Sequence, residues 1–408
     1  MADPPTFVIS GAGLAGAKAA EALRDDGYDG KIVILGEERA RPYERPPLSK
    51  DYLRGEFQGD APYVHEAGFY AEREIELRTG TRAVAVRPRD REVELEGGER
   101  IRFDRLLLAT GAVPRRLAVP GADLDGVHYL RTVEDADALR ARIRAAGRAV
   151  VVGAGWIGAE VAASARQLGI EVVLLEIDEV PLRRVLGPEL GAIYRDIHVE
   201  HGVRFLGGTG VERIEGVTSV ERVVTSDGRV LDCDLVVVGV GVTPRVELAA
   251  EAGLDVENGI LVSDRLESSV PGIFAAGDVA NAWHPLLERR IRVEHWATAL
   301  NQGPAAARNM LGRDVPYDAV PYFFSDQYDV GMEYAGHATE WDRVVFRGDP
   351  ATREFIAFWT KDGRVVAGMN VNVWDVTDDI QALVRSRSVV DPRRLADPDV
   401  PIRELVPA

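Results

Sequence analysis

This chain of 408 residues contains a single cysteine, Cys233. An intrachain disulfide is therefore excluded, and so is any reaction that cycles a pair of protein thiols. Lysine is almost as scarce. Lys18, Lys31, Lys50 and Lys361 are the four among 49 basic residues, arginine supplying the rest, so a lysine inside a motif is unusually informative. Positive charge is in deficit overall: the net charge of −17 argues against nucleic acid as a general partner. No apolar run is long enough to span a bilayer. The opening Met-Ala-Asp-Pro-Pro-Thr6 has neither the basic segment nor the apolar stretch of a signal peptide. Together with the lone cysteine, these absences lead us to expect a cytoplasmic protein without a membrane partner. The seven histidines (His65, His128, His198, His201, His284, His295 and His337) form no ligand cluster. His198 and His201 stand three apart on an expected helix, but no further ligand accompanies them, so no metal site is expected.

What the chain does have is a glycine fingerprint, twice. Residues 11–16 read Gly-Ala-Gly-Leu-Ala-Gly, and residues 153–158 read Gly-Ala-Gly-Trp-Ile-Gly. Each follows a short β-prone run (Thr6 to Ser10; Ala149 to Val152) and opens an Ala/Leu-rich helical stretch (Leu14 to Asp25; Trp156 to Leu168). Each leads to a second expected strand (Lys31 to Leu35; Val172 to Leu175) that closes on an acid, Glu37 or Glu176. Such a βαβ unit binds dinucleotides. Gly11 and Gly153 permit the tight turn, Gly13 and Gly155 let the backbone approach a pyrophosphate, and Gly16 and Gly158 let helix pack on strand. The helix start, at Leu14 and Ala15 or at Trp156 and Ile157, offers free N–H groups and partial positive charge. The closing carboxylate accepts from ribose hydroxyls and repels a 2′-phosphate, so Glu176, with no adjacent arginine, favours NADH over NADPH. The bland alternative is a pair of Gly-rich turns in an ordinary α/β fold. Two units in one chain point instead to two nucleotides and electron transfer between them.

A second repeat accompanies the first. Leu106 to Arg115 and Leu235 to Arg245 are apolar strands that both end in Gly-x-x-Pro-Arg, at Gly111 and Gly241. They read as exits from the two nucleotide domains. The expected fold class is α/β: two Rossmann-like dinucleotide-binding domains (glutathione-reductase-like) plus a C-terminal α+β domain. Residues 1–115 and 241–316 form a discontinuous first domain, completed by strands at 259–262 and 272–278 and a helix from Leu300 to Leu311. Residues 116–240 form the second. Residues 317–408, rich in aromatics, form the third, where Phe355–Thr360 and Val365–Met369 flank an Asp362-Gly363 hairpin turn and a short helix runs from Asp378 to Arg385.

The chain as a whole resembles the FAD-dependent, NADH-linked ferredoxin reductases that serve bacterial monooxygenases and dioxygenases, of the putidaredoxin reductase and biphenyl dioxygenase reductase type. The resemblance is carried by the fingerprints, Arg45-Pro-Pro-Leu-Ser-Lys50, Ala109-Thr110-Gly111, Tyr129-Leu-Arg131-Thr132, Ala276-Gly277-Asp278 and Ser325-Asp-Gln-Tyr328. It implies FAD in the first domain, NAD(H) in the second and a third domain covering the flavin. For FAD it implies contacts from Ala15 at the pyrophosphate turn, Glu37 at the ribose, Ala83 near the adenine, Arg131 and Asp278 along the phosphate–ribityl stretch, Lys50 beside the isoalloxazine and Trp296 at its edge. Gly11, Gly13, Leu14, Gly16, Arg45, Thr110, Gly111 and Gly277 complete that set. Gly153, Gly155, Trp156, Ile157, Gly158, Glu160 and Glu176 would hold NAD(H). The alternatives to these two contacts are a helix N-cap before Val279 for Asp278 and ordinary core for Trp296.

In this family a lysine at the position of Lys50 pairs with a glutamate just past the second fingerprint, and Glu160 occupies that place. The expectation is that the pair sits between the flavin N5 and the nicotinamide, with Lys50 stabilising the charge of the reduced flavin; a surface lysine and an unrelated helix glutamate are the alternative. Relatives of this fold that use thiols carry Cys-x₄-Cys after the first βαβ unit, or one cysteine around Arg41–Lys50. This chain has neither, and Cys233, between Asp232 and Asp234, is expected to be structural. Electrons must then leave the flavin outward. The expected activity is NADH:ferredoxin oxidoreduction, hydride passing from NADH to FAD and single electrons to a [2Fe–2S] ferredoxin that feeds a haem or Rieske-type oxygenase. Arg289, Arg290 and Arg292 are the candidate docking patch, or else a solvated charge run. Rubredoxin as acceptor, or a signalling flavoprotein, are the competing readings.

Overall fold

The first fingerprint folds as its periodicity predicts. In the computed structural model, which describes residues 4–59 and 61–406, Thr6–Ser10 is a strand, Leu14–Asp25 a helix and Lys31–Leu35 a second strand. Val8, Ile9, Ile32, Val33 and Ile34 are fully buried, which explains continuous apolar runs rather than alternation: the sheet is parallel and covered on both faces. Its order is Ile273–Ala275, Arg105–Leu108, Thr6–Ser10, Lys31–Leu35, Ile75–Arg78, with every neighbouring pair parallel.

The second fingerprint repeats the arrangement. Arg148–Val152, helix Trp156–Gln167 and Glu171–Leu175 form its βαβ unit. The sheet runs Arg204–Leu206, Glu171–Leu175, Arg148–Val152, Leu235–Val238, Val127–Tyr129, again all parallel. In both sheets the glycine strand is central and the order reverses at its side, the point at which open α/β sheets bind ligands. Three-stranded antiparallel sheets accompany them, Ala83–Arg87 with Glu92–Leu95 and Arg100–Arg102, and Val211–Glu215 with Arg222–Thr225 and Val230–Asp232. The fold class is the expected one.

The chain divides into two units. One comprises Met1–Glu44, Ala61–Val113 and Thr243–Pro321; the other comprises Arg45–Asp60, Pro114–Val242 and Tyr322–Ala408. The first holds the first fingerprint. The second holds the other fingerprint, the Arg45–Lys50 segment and the aromatic-rich C-terminal part. That part is a five-stranded antiparallel sheet ordered Tyr322–Gln327, Val330–Gly336, Arg364–Val371, Glu354–Lys361, Arg343–Asp349. Its hairpin turns at Asp362 (φ 50°) and Gly363 (φ 75°), both left-handed as a two-residue turn requires. Helix Thr377–Ser386 lies against it, and Trp359, fully buried, donates from Nε1 to the carbonyl of Leu186 at 3.1 Å.

One helix differs from expectation. The helix closing the first unit spans Trp296–Met310, four residues earlier than the aliphatic pattern indicates. His295 is extended (φ −106°, ψ 150°) and ends the preceding segment, while Ala297 and Thr298 are buried, so the first turn packs although it lacks an aliphatic stripe.

Candidate functional site: two glycine cradles and a buried lysine–glutamate pair

In each fingerprint the three glycines separate by what surrounds them. A Cβ on Gly11 would run into the carbonyl of Ala109, and Gly11 sits at φ 125°; one on Gly16 would run into the carbonyl of Gly11. Gly153 (φ 93°) and Gly158 face the carbonyls of Gly239 and Gly153 in the same way. At the middle glycines the protein is absent: nothing among the described residues comes within 4 Å of a Cβ placed on Gly13 or Gly155. These two residues are also the N-caps of their helices, and no side chain caps either one. Helix Val133–Ala145, by contrast, has a complete capping box between Thr132 and Asp135. The amides that begin at Leu14 and Ala15, and at Trp156 and Ile157, are thus left to an anion approaching over a bare glycine. Both cradles fit the pyrophosphate of a dinucleotide.

The closing acids are held differently. Glu37 Oε2 pairs with Arg245 Nη1 at 2.6 Å, with Arg82 further off at 3.8 Å, and the carboxylate stays 44 % exposed. Glu176 instead accepts from the backbone, Ala154 N at 2.6 Å and Asp178 N at 3.1 Å. Ala154 belongs to the second cradle, so this carboxylate and the phosphate turn are one piece. Arg245 is a residue that sequence reading missed. It follows the second Gly-x-x-Pro motif and its carbonyl accepts from Thr110 Oγ1 at 2.8 Å, while its amide donates to Gly111, which turns at φ 69°.

The first cradle is backed by the C-terminal helix of its unit. Gly277 (φ 78°) approaches Ala15, and Gly303, inside helix Trp296–Met310, abuts the Ala15 carbonyl; any side chain there would push the cradle helix away. Gln302 Oε1 accepts from Gly277 N at 2.9 Å. Gly303 followed by Pro304 within a helical pattern was the available signal. Asp278 does not cap a helix: it lies inside a single 3-10 turn, Gly277–Val279, whose N-cap is Ala276. Trp296 is the first residue of its helix and half-buried. Ala83 starts the strand Ala83–Arg87.

In the other unit, Pro46 and Pro47 fix a 3-10 turn, Pro46–Ser49, that delivers Lys50. Lys50 Nζ meets Glu160 Oε2 at 2.8 Å, the side chains 12 % and 4 % exposed. The surface alternative is thereby set aside. Glu160 is the fifth residue of helix Trp156–Gln167 and points to its buried side. Ser49 Oγ donates to Glu160 Oε2 at 2.5 Å, Ser325 Oγ donates to Oε1 at 2.7 Å, and Lys50 Nζ also donates to the Pro46 carbonyl at 3.2 Å. Ser164, one turn beyond Glu160, donates to the Ser49 carbonyl at 2.7 Å and ties the proline turn to the helix. The Phe324 ring centroid lies 5.6 Å from Nζ. Arg45 donates to the carbonyl of Arg131, whose own amide donates to Asp135 Oδ2 at 3.0 Å. A charged pair this well enclosed and hydrogen-bonded is costly to assemble and costlier to half-dismantle.

The three arginines do not form a uniform cationic face. Arg292 has a side chain 8 % exposed; it pairs with Glu294, donates to the Asp278 carbonyl at 3.2 Å and grips Asn258 Oδ1. Arg290 is exposed but its Nη1 donates to the carbonyls of Val262 (2.7 Å) and Asn281 (3.2 Å). Arg289 is half-buried. Cys233 is buried, and burial, reinforced by Asp234, pushes its thiol up to about 12, far from the range of a working thiolate. Among the described residues no three His, Cys, Asp or Glu side chains converge as a metal site, and no helix is long and apolar enough to cross a membrane.

Duplicated parallel sheets with open glycine cradles, followed by an antiparallel C-terminal domain, define a pyridine-nucleotide-linked oxidoreductase architecture. The chain belongs to the pyridine nucleotide-disulphide oxidoreductase family, whose model matches residues 5–303, and it carries a reductase C-terminal domain over residues 322–406. It is 41 % identical to the ferredoxin–NAD(+) reductase component of the anthranilate 1,2-dioxygenase system of Burkholderia cepacia, over 98 % of this chain and 99 % of that one. It is 37 % identical to putidaredoxin reductase of Pseudomonas putida, over 98 % and 96 %. Among solved structures it superposes on a ferredoxin reductase from Rhodopseudomonas palustris with a TM-score of 0.95 at 38 % identity, covering 98 % of this chain and all of that one. It matches the covalent putidaredoxin reductase–putidaredoxin complex equally, TM-score 0.95 at 36 % identity over 99 % and 98 %. The disulphide in the family's description has no counterpart in a chain with one inaccessible cysteine.

Proposed function

We propose that this protein is an FAD-dependent NADH:ferredoxin oxidoreductase. The observation that carries the reading is the pair of uncapped, sterically open glycine cradles in a chain that has no second thiol to relay electrons. When bound, FAD accepts a hydride from NADH and releases the two electrons singly, which suits a [2Fe–2S] acceptor. In this reading residues 1–115 with 241–316 bind FAD, residues 116–240 bind NADH, and residues 317–408 form the third domain.

The chain's own residues then have defined tasks. The amides at Leu14 and Ala15 and at Trp156 and Ile157 receive the two pyrophosphates. Glu37 and Glu176 accept from ribose hydroxyls, and the backbone-held carboxylate of Glu176 rejects a 2′-phosphate. Lys50 presents an ammonium in a largely dehydrated setting, where a fixed positive charge stabilises negative charge developing on a bound ring system. Glu160 holds that ammonium in place, and the Ser49 and Ser325 hydroxyls hold Glu160. The ferredoxin acceptor is supported by relatives that are ferredoxin reductases of oxygenase systems. Of the arginine trio, Arg290 is the exposed member and the candidate docking cation, Arg289 is half-buried, and Arg292 is committed to its own fold.

The test is anaerobic stopped-flow reduction of the yellow holoenzyme by NADH and by NADPH, followed by mixing with [2Fe–2S] ferredoxins and a rubredoxin. Fast bleaching by NADH, slow bleaching by NADPH and reoxidation by a ferredoxin sustain the proposal. Reoxidation by rubredoxin alone moves the acceptor; bleaching without any protein acceptor defeats it.

A further inference from the structure

The Ser325-Asp-Gln-Tyr328 segment has a physical task that its sequence does not reveal. On strand Tyr322–Gln327, alternate residues Phe323, Ser325 and Gln327 face inward, and Ser325 and Gln327 are each 1 % exposed. Polar side chains on the buried face of a strand demand partners. Ser325 Oγ donates to Glu160 Oε1 at 2.7 Å and accepts from Gln327 Nε2 at 3.3 Å. Gln327 Oε1 faces His198 Nε2 at 3.0 Å, and His198 Nδ1 faces the Tyr328 hydroxyl at 3.2 Å. His198, on helix Arg183–Glu200, has no exposed surface.

The polarity of this line follows from counting protons. Glu160, a carboxylate paired with Lys50, only accepts, so the Ser325 proton points at it. Ser325 must then accept, so the Gln327 amide turns its NH₂ to Ser325 and its oxygen to His198. An amide oxygen only accepts, so His198 carries its proton on Nε2, and its bare Nδ1 receives the Tyr328 proton. Every donor in the line Tyr328, His198, Gln327, Ser325 aims towards the carboxylate. Burial holds the His198 ring low, at about 4, and drives the Tyr328 phenol above its ordinary range, so both keep the required protonation at neutral pH. Aligned donors in a dry interior polarise one another and strengthen the last bond of the line, the one to Glu160.

We propose that Ser325, Gln327 and His198 are positioning residues: a unidirectional hydrogen-bonded line that fixes the rotamer of Glu160 and, through it, the place of the Lys50 ammonium. The inference rests on the reading that Lys50 serves the hydride-accepting site.

The test has two arms. In holoenzyme labelled with ¹⁵N-histidine, the His198 ring nitrogens should report a neutral Nε2–H tautomer from pH 8 to 5; an Nδ1–H tautomer, or an imidazolium at pH 6, overturns the line without any variant being made. In stopped-flow reduction at saturating NADH, Ser325→Ala should slow the limiting rate about tenfold, a fraction of what a hydrogen bond to a charged group can carry. The dissociation constant for NADH should stay unchanged, and Ser325→Thr, which keeps the hydroxyl, should recover most of the rate. Gln327→Glu, which accepts from both neighbours and turns the Ser325 proton away from Glu160, should be slower than Gln327→Leu. If Ser325→Ala reduces at the wild-type rate while Lys50→Met is slow, the positioning line is wrong and the parent reading stands. If Lys50→Met is itself fast, the parent reading fails first.

Discussion

The two glycine cradles share a backbone and differ in how the closing acid is answered. Around Glu37 the partner is a guanidinium: Arg245 sits at 2.6 Å on a half-exposed carboxylate. Around Glu176 the partner is the cradle itself, through the Ala154 amide. A carboxylate bonded to a guanidinium makes a ribose compete for it, whereas one held by backbone amides has no such cation on it among the described residues. The duplicated fold therefore does not duplicate the setting of the acid. The first cradle is backed by close packing, Gly277 and Gly303 lying against Ala15. The second is tied at its far end to its own closing carboxylate.

The largest expected effects come from the glycines, because they separate folding from binding within each cradle. Gly11→Ala forces a Cβ against a carbonyl at φ 125°, and Gly16→Ala does the same within the turn. Each should cost several kcal/mol, roughly 3 or more, and yield little soluble protein. A Cβ on Gly13 or Gly155 meets nothing within 4 Å among the described residues, so Gly13→Val and Gly155→Val should fold with a Tm near that of the wild-type apoprotein. Gly13→Val should nevertheless purify colourless. Gly155→Val should stay yellow and lose NADH affinity by at least about a hundredfold. Flavin absorbance and NADH titration read both. A yellow Gly13→Val protein removes the first cradle from flavin binding.

Lys50→Met comes next. It leaves a 4 % exposed carboxylate beside two serine hydroxyls with no counter-charge. The limiting rate of flavin reduction should fall by about two orders of magnitude, the loss expected on removing one preorganised charge stabiliser. Glu160→Gln in the same chain should restore stability more than rate, since it removes the stranded charge and not the missing ammonium. Urea midpoints and stopped-flow rates on the two single variants and the double variant settle this, and rates that recover in step with stability would count against a chemical role for Lys50.

Glu176→Gln tests the contrast between the acids directly. The amide oxygen can still accept from Ala154, so the cradle survives while the charge is lost. The preference for NADH over NADPH, as a ratio of kcat/KM values, should drop about tenfold, the order expected when one like-charge repulsion is removed. Glu37→Gln should change FAD affinity only a few-fold, because Arg245 already occupies that carboxylate. Equal effects at the two positions would erase the distinction drawn here.

Much of this was legible beforehand, for a physical reason. Thr6–Ser10, Leu14–Asp25 and Lys31–Leu35 follow from local pattern alone, since apolar runs, glycine turns and helix formers are neighbours in sequence. The Lys50–Glu160 contact was reached only through resemblance. Arg245 on Glu37, Gln302 under Gly277 and Ser164 on Ser49 were not foreseen: each joins residues brought together by the fold, and even the repeated Gly-x-x-Pro-Arg motif that ends at Arg245 does not name Glu37 as its partner. The helix at Trp296 was misplaced at its start for a related reason. Its first turn is secured by burial of Ala297 and Thr298 rather than by an aliphatic stripe. The arginine trio shows the converse error, where a cluster in sequence is split by the fold into an exposed cation and a buried strut.

The remaining effect is one of pH, on stability rather than rate, and it falls within the second unit. His198 is buried with both ring nitrogens engaged, and burial lowers its pKa to about 4. The unfolded chain takes up this proton near pH 6.5 while the folded chain refuses it until about 4. Between those values the unfolded state binds more protons, so stability falls as pH falls, by at most about 1.4 kcal/mol per unit, and levels off below the folded value. His201 adds to the lowering and the Gln327 hydrogen bond opposes it. His198→Gln removes the titrating group, so the difference in urea midpoint between variant and wild type should shrink steadily from pH 7 to pH 4.5 as the wild type loses its advantage. Carboxylates elsewhere titrate in both proteins and cancel in that difference. Midpoints that run parallel across the range would mean that His198 takes up its proton in the folded chain as readily as in the unfolded one, and the neutral ring on which the donor line depends would be lost below about pH 6.5.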